Sequence, residues 1–177
     1  MRLHLVDSNE SVAKALLDAF RDFPEVSVAF GDLLVAATNT AVSPANAYGF
    51  MDGGIDTAFR KFFGADIESK VRDAIGRRPE GRLPIGASIA VQTGNERIPY
   101  LIVAPTMISP EAVEPQNCYR AMRAVLRIAA AHEEIGRAVY CPGLGTGVGQ
   151  VAPADAAREM VQAYADWIQA NPPMARS

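Results

Sequence analysis

The sequence is poor in the residues that build most metal sites and disulfide frameworks. It has two cysteines and two histidines among 177 residues. Cys118 and Cys141 lie far apart and belong to no Cys-x-x-Cys or Cys/His pattern, which argues against a zinc site or a disulfide framework. Both are expected to be reduced residues in or near the core, and His4 is expected to be structural. We therefore expect neither a metal nor a cofactor.

The sequence also lacks a long apolar run and a strong charge of either sign. No stretch is long and apolar enough to span a membrane, and the first residues turn polar too early for a signal peptide. The formal charge of -3 and the pI near 5.4 give no electrostatic attraction to nucleic acid or to an anionic membrane. We expect a cytoplasmic protein without membrane or general nucleic-acid binding; its oligomeric state is left open.

What the chain does have is enough apolar content for one substantial core. With 49% hydrophobic and 21% charged residues, it is expected to form one domain over residues 1–177, with about seven residues at the end as a loose tail. Strand patterns occur at 3–6, 26–30, within 34–43, and at 86–94, 99–105 and 137–141. Helical spacing occurs at 11–23, after the glycines at 53–54, and at 67–76, 116–131 and 153–170. This order predicts a three-layer α/β/α sandwich with a mixed, largely parallel central sheet.

Two glycine-rich segments join a strand to a helix, which is where such sheets bind ligands. One runs from Ser43 to Asp56 and the other from Cys141 to Pro153. Glycine lets the backbone approach a ligand and present several N–H groups together, and a helix amino terminus adds partial positive charge. In the second segment every other residue from 143 to 149 is glycine, which is too dense for an ordinary turn. The two segments therefore predict a phosphate or diphosphate site.

Neither segment matches a common nucleotide motif. G-x-x-x-x-G-K-[ST] is absent, and G-x-G-x-x-G fails because its third glycine would fall on Val148 or Gln150. What remains are backbone amides together with Asp32, Asn46 and Asp56. An amide side chain can donate to and accept from sugar hydroxyls, and a carboxylate can accept a proton or orient a water. The predicted ligand therefore carries phosphates and a sugar.

Each of these three side chains also has a purely structural interpretation. Asn46 can satisfy local backbone groups, Asp32 can cap a loop, and Asp56 can be a carboxylate stabilised by the dipole of its helix. The residue types alone leave both interpretations open.

The segment GDLLVAATNTAVSPANAYGFMDGGID, residues 31–56, resembles the macrodomain signature without a gap. That signature opens with Gly-Asp-Ile, continues to Asn-Ala-Ala-Asn at a strand end, and closes with a Gly-Gly-Gly-Gly-Val-Asp loop. Likewise PGLGTGVG, residues 142–149, resembles the second phosphate loop of the family, Pro-Ala-Ile-Ser-Thr-Gly-Val. The resemblance implies the macrodomain form of the sandwich, with ADP-ribose or an ADP-ribosylated substrate as the partner.

The resemblance also implies a role for each matched residue. Asp32, with Leu33 beside it, would accept a hydrogen bond from the adenine amino group. Asn46 would hold the distal ribose. Asp56 would contact the proximal ribose or a phosphate and, in hydrolytic members, orient an attacking water, the alternative being activation of the water by the substrate itself. Asn46 and Asp56 are therefore the candidate catalytic residues. The diphosphate would be wrapped by backbone N–H groups around Gly53, Gly54, Ile55, Gly145, Thr146, Gly147, Val148 and Gly149.

Several positions depart from the family pattern. Ser43 stands where the first Asn is usual, and Asp52 adds a negative charge beside the anion site. Gly149 replaces an aromatic residue that packs on the distal ribose, and Gln150 replaces a glycine. We expect the late strand and its adenine-stacking aromatic to be absent. Trp167 could take the place of that aromatic, but its helical spacing favours core packing.

Three functions are compatible with the resemblance. The leading hypothesis is an enzyme that hydrolyses a bond at the distal ribose, releasing ADP-ribose from a modified protein, a nucleic acid or an acetyl ester. The second is a module that recognises ADP-ribose without turnover. The third is a phosphatase acting on ADP-ribose 1''-phosphate, for which the sequence offers no evident nucleophile.

Overall fold

The computed structural model describes residues 1–172, which fold around a six-stranded sheet. The strands are β1 (Leu3–Asp7), β2 (Ser27–Phe30), β3 (Thr40–Ser43), β4 (Ile89–Gln92), β5 (Tyr100–Val103) and β6 (Val139–Cys141). The helices are α1 (Glu10–Ala19), α2 (Leu33–Ala36), α3 (Gly54–Phe63), α4 (Asp66–Gly76), α5 (Gln116–Ala131), α6 (Glu133–Gly136) and α7 (Pro153–Ala170). Most of the expected loose tail, residues 173–177, lies outside the described part.

The sheet is mixed and mostly parallel, as predicted. Its strand order is β2-β1-β6-β3-β5-β4, and β4 alone runs antiparallel to its neighbour. Side chains alternate between the two faces, so Ile102 packs with α1, α5 and α7 while Leu101 and Val103 pack with α3 and α4. Helices therefore cover both faces, which gives the three-layer sandwich.

Three helices differ from the sequence-based expectation, and one of them, the four-residue α6, was not predicted. The pattern predicted that α1 would continue to residue 23, but it ends at Ala19 with Phe20 as its C-cap residue. The rings of Phe20 and Phe23, which lie beyond the helix, pack on Tyr164. The short helix α2 was not predicted either. It is capped by Asp32 at its start, and the guanidinium of Arg97 donates to its last carbonyls from a distant loop.

Helix length and polarity bear on membrane association. Within residues 1–172, every helix is too short or too polar to cross a bilayer.

The helix α3 carries a buried and an exposed phenylalanine that test the core on its side of the sheet. Phe59 is fully buried, whereas Phe62 is 37% exposed. We expect Phe59→Ala to lower the free energy of unfolding by about 3–5 kcal/mol, since it removes a large side chain and leaves a cavity. Phe62→Ala should cost less than about 1 kcal/mol. Urea unfolding of both variants measures the difference, and equal losses would contradict the described packing of α3.

Candidate functional site

A cleft of about 480 Å³ opens at the carboxyl ends of the strands. Its volume and position are typical of small-molecule sites in α/β proteins. Every residue predicted to contact a ligand lines this cleft: Asp32, Leu33, Asn46, Gly53, Gly54, Ile55, Asp56, Gly145, Thr146, Gly147, Val148 and Gly149. The two glycine-rich segments, distant in sequence, therefore border one space.

The order of the strands gives the cleft two different ends. At one end lie Asp32, which follows β2, and residues 7–9, which begin at the last residue of β1. At the other end lie Asn46, which follows β3, and residues 106–107, which follow β5. The loop after β6 lies between them. With neighbouring strands about 4.8 Å apart, the four steps from β2 to β5 make the cleft roughly 19 Å long. A ligand of several linked groups can lie along it.

The second glycine-rich loop presents a run of backbone N–H groups that lack protein acceptors. Within residues 1–172, the N–H groups of residues 145–149 donate to no protein atom. The flanking N–H groups are paired, that of Leu144 with the Met160 sulfur and that of Gln150 with the Gly147 carbonyl. Since backbone N–H groups in folded proteins are nearly always paired, a run of free ones at a loop is typical of an anion site.

Packing explains three of the four glycines in this loop. A Cβ at Gly143 would overlap a valine methyl of α1, and one at Gly145 would lie 2.8 Å from a cysteine sulfur. A Cβ at Gly149 would lie 2.7 Å from the Gly145 carbonyl oxygen. At Gly147, by contrast, a Cβ would meet no atom within 4 Å. Gly147 therefore faces the open cleft, and the space beside it is free of protein atoms.

The carboxylate of Asp7 holds this loop to the end of β1. Its Oδ2 accepts from the N–H of Gly143 at 2.9 Å, and its Oδ1 accepts from the N–H of Asn9 at 2.8 Å. One side chain thus fixes the loop after β1 and the start of the loop after β6.

The first glycine-rich loop ends at the amino terminus of α3, where a second run of N–H groups lies. Gly53 is the N-cap residue and no side chain caps the helix, so the N–H groups of Gly53–Asp56 have no intrahelical acceptor. A Cβ at Gly53 or Gly54 would lie 3.8 Å from Val148 Cγ2. The two runs therefore border the same narrow part of the cleft.

The side chain of Asn46 is bound to its own loop. Its Nδ2 donates to the Phe50 carbonyl at 2.8 Å, and its Oδ1 accepts from the N–H groups of Tyr48 at 3.1 Å and Phe50 at 3.3 Å. The local structural interpretation therefore holds for this residue. Because the amide carries a second N–H and Asn46 lines the cleft, one donor is left for a ligand.

Asp32 likewise has a structural contact and an open side. Its Oδ1 accepts from the N–H of Leu34 at 2.8 Å, which caps α2. The side chain is nevertheless exposed and lines the cleft. Because a carboxylate can accept several hydrogen bonds, capping leaves Oδ2 available to a ligand donor.

Asp56 lies at the floor of the cleft, 6% exposed, and pairs with Ser43 at the end of β3. The Ser43 hydroxyl donates to Asp56 Oδ1 at 2.5 Å. Burial raises the pKa of Asp56 to about 6, because a buried carboxylate loses hydration; the Ser43 hydrogen bond lowers it, and the charges of Glu68 and Asp52 raise it further. Asp56 is thus a carboxyl group that titrates close to neutral pH.

Two departures from the family pattern affect the cleft in different ways. Asp52 is exposed and lines the cleft, so it does add a negative charge there. Gln150 has a φ of 55°, in the left-handed region that favours glycine. The backbone shape expected of a glycine is therefore kept at residue 150.

The residues set aside in the sequence do not line the cleft. Cys118 and Cys141 are free and buried, and burial raises the pKa of the Cys118 thiol to about 12. His4 stacks on Tyr140 with ring centroids 4.4 Å apart, and Trp167 packs against the core as predicted. The described residues contain no group of three His, Cys, Asp or Glu side chains that could hold a metal ion.

Sequence reasoning missed three parts of the cleft wall. These are residues 7–9 after β1, Phe50 in the first glycine-rich loop, and the segment 106–110 after β5. The rule that ligands bind at the carboxyl ends of strands could have found the first and the third, because both follow predicted strands. Phe50 carries no comparable sequence signal.

Comparison with known proteins identifies the family. The Macro domain family model matches residues 42–160, which is more than half of the chain. This chain belongs to the Macro domain family. An uncharacterised protein of Aquifex aeolicus is 33% identical over 139 residues, covering 78% of this chain and 79% of that protein. One from Aeropyrum pernix is 33% identical over 140 residues, covering 78% and 69%.

Solved macrodomain structures share the fold. The macrodomain of Mycobacterium tuberculosis DarG superposes with a TM-score of 0.66 at 25% identity, covering 78% of this chain and 89% of that one. The Oceanobacillus iheyensis macrodomain with ADP gives a TM-score of 0.66 at 19% identity, covering 80% and 75%. At this identity the second likeness concerns the fold alone.

The pH dependence of stability tests the burial of Asp56. Its pKa is about 6 when folded against 3.8 as the ordinary value, so the folded macrodomain binds this proton more tightly and loses stability as the pH rises from about 4 through 6. The difference corresponds to about 3 kcal/mol. We expect Asp56→Asn to remove this loss, so that the variant gains about that much relative to wild type between pH 4 and 7. Urea unfolding at pH 4 and pH 7 measures the free energy of unfolding of both proteins. If the difference between wild type and Asp56→Asn were the same at both pH values, it would contradict the raised pKa.

Proposed function

We propose that this macrodomain binds ADP-ribose in the cleft, with the diphosphate between the two runs of N–H groups. The observation that carries the proposal is that residues 53–56 and 145–149 line the same part of the cleft and that their N–H groups have no acceptor among residues 1–172. A diphosphate offers acceptor oxygens to both runs, and its charge is stabilised by the amino terminus of α3. No lysine or metal is required for this mode of binding.

The order of the strands supports one orientation of the ligand. Adenine lies at the β2–β1 end, where Asp32 Oδ2 accepts from its exocyclic amino group. The distal ribose lies at the β3–β5 end, near Asn46 and above Asp56. The roughly 19 Å of cleft accommodates a nucleotide, a diphosphate and a second sugar in line.

We further propose that the macrodomain hydrolyses the bond at the distal ribose. Water attacks the anomeric carbon of the distal ribose. The bond from this carbon to the modified group breaks, and its electron pair leaves with the modified group. Asp56 accepts the proton that the water loses, and the modified group takes a proton from solvent. A base with a pKa near 6 is largely ionised at neutral pH and still accepts a proton. Ser43 occupies Oδ1 and leaves Oδ2 without a partner among the described residues.

A module that only recognises ADP-ribose is the second candidate. It is favoured by the burial of Asp56 and by the hydrogen bond from Ser43, since both restrict access of this carboxylate to a water. Binding and turnover are therefore tested separately.

The binding proposal is tested at Gly147, whose side faces the open cleft. We expect Gly147→Glu to weaken ADP-ribose binding by about a hundredfold or more, since the new side chain fills and repels the diphosphate position. Gly147→Ala controls for the loss of glycine. Gly76→Glu controls for the added charge, because a Cβ there also meets no atom within 4 Å and Gly76 lies outside the cleft. Isothermal titration calorimetry measures the affinities. Unchanged affinity in Gly147→Glu would contradict the proposed position of the diphosphate beside Gly147.

The turnover proposal is tested with a mono-ADP-ribosylated protein substrate. We expect wild type to release ADP-ribose at a rate that rises as the pH passes about 6, and Asp56→Asn to be slower by about a hundredfold or more. Asp66→Asn is the matched control, because Asp66 is also an aspartate in the first turn of a helix but is exposed and outside the cleft.

The outcomes separate the two candidates. Binding without release by wild type would support the module that only recognises ADP-ribose. Equal release by wild type and Asp56→Asn would remove Asp56 from the reaction.

A further inference from the structure

Phe50 is an exposed aromatic residue at the β3–β5 end of the cleft, and the roles considered so far do not use it. It lines the cleft and is 42% exposed. A single exposed aromatic side chain is ordinary by itself, but one that is held in place inside a ligand cleft offers a large apolar surface to a ligand. The question is whether the ring is held in place or is free to move.

The backbone of Phe50 is held on both sides by Asn46. The Asn46 amide donates to the Phe50 carbonyl at 2.8 Å and accepts from the Phe50 N–H at 3.3 Å. The local use of the Asn46 side chain therefore positions the residue four places along the chain.

One face of α4 forms a platform beneath the same loop. Residues 68, 71, 72 and 75 of α4 recur at the spacing of a single helix face. Glu68 Oε2 accepts from the Met51 N–H at 2.9 Å. Gly49, with a φ of 75°, sits so close to Val71 and Ile75 that a Cβ would lie 2.8 Å from each. The loop on both sides of Phe50 is thus fixed to α4.

The fourth platform residue contacts the ring itself. The guanidinium carbon of Arg72 lies 4.3 Å from the centroid of the Phe50 ring, a cation–π contact. An aromatic ring has two faces, and Arg72 covers one of them. Phe50 lines the cleft and is not fully covered, and because Arg72 already holds the ring, a ligand that packs on it does not pay to order the ring.

We infer that Phe50 packs against the terminal sugar of the ligand and makes the cleft selective for ADP-ribose over ADP. The inference rests on the proposed function. Phe50 adds an apolar contact at the distal end of the cleft, where the C–H groups of the terminal ribose lie. ADP ends at the diphosphate and lacks this ribose, so it cannot make the contact. Arg72 and Asn46 act as positioning residues for this contact.

The test compares the affinities of ADP-ribose and ADP in variants of Phe50. We expect Phe50→Ala to lower the affinity for ADP-ribose about tenfold and to leave the affinity for ADP unchanged. A tenfold change corresponds to the burial of roughly 55 Å² of apolar surface. Phe50→Tyr keeps the ring and should bind both ligands as wild type does. Phe62→Ala is the matched control, since Phe62 is also exposed and also lies under an arginine, Arg97, but is outside the cleft.

Calorimetry with both ligands, at equal protein stability checked by thermal unfolding, decides the inference. A selective loss for ADP-ribose supports it. Equal losses for the two ligands, or no loss for either, overturn it while leaving ADP-ribose binding in place. If wild type binds neither ligand, the proposed function fails instead. Should Phe50→Ala not fold, Phe50→Gln carries the same comparison, because glutamine keeps the length of the side chain but removes its apolar ring.

Discussion

The cleft depends on two stretches of backbone that are held close together and whose N–H groups have no acceptor in the described part of the chain. A free N–H group that is partly shielded from water costs about 1–3 kcal/mol, so such runs persist only where the surrounding structure enforces them. Here the enforcement is visible. Three glycines of the second loop are packed against neighbouring atoms, Asp7 binds the start of that loop, and the helix α3 fixes the direction of the first run. The strand order then brings both loops to one cleft.

The glycines of the second loop serve two different purposes, which their even spacing in the sequence conceals. Gly143, Gly145 and Gly149 leave no space for a Cβ, so they are required for folding of the loop. Gly147 has open space, so packing does not require glycine there, and the proposed diphosphate position is next to it. Only the packing distinguishes the glycines that shape the loop from the one that leaves space in the cleft.

Much of the fold was predictable because its signals are local. The boundaries of α5 and α7 follow from helical spacing and flanking residues, and the predicted limits 116–131 and 153–170 match the structure. The helix α2 could not be predicted, since it is four residues long and its carbonyls are bound by Arg97, about sixty residues away in the sequence. Local pattern cannot reveal such a distant partner.

The candidate site shows the same division. Strand-to-helix segments rich in glycine predicted which backbone would line the cleft, since that requirement is local. The platform under Phe50 was not predictable, because it joins a loop residue to α4 through contacts of Glu68, Val71, Arg72 and Ile75. Helical spacing marks Val71 and Ile75 as apolar and buried, but it does not say that a loop covers them.

The electrostatics of the cleft place opposing demands on Asp56. A diphosphate between the two loops is destabilised by any nearby carboxylate, yet a base that activates water must be ionised. A carboxyl group with a pKa of about 6 meets both demands, because it is ionised at neutral pH but gives up its charge at a small cost. Burial is the main cause of the raised pKa, and the charges of Glu68 and Asp52 raise it further, whereas the Ser43 hydroxyl lowers it by stabilising the ionised form. Under the proposed function, the serine at the end of β3 therefore helps to keep Asp56 ionised, as a base that accepts a proton from water must be.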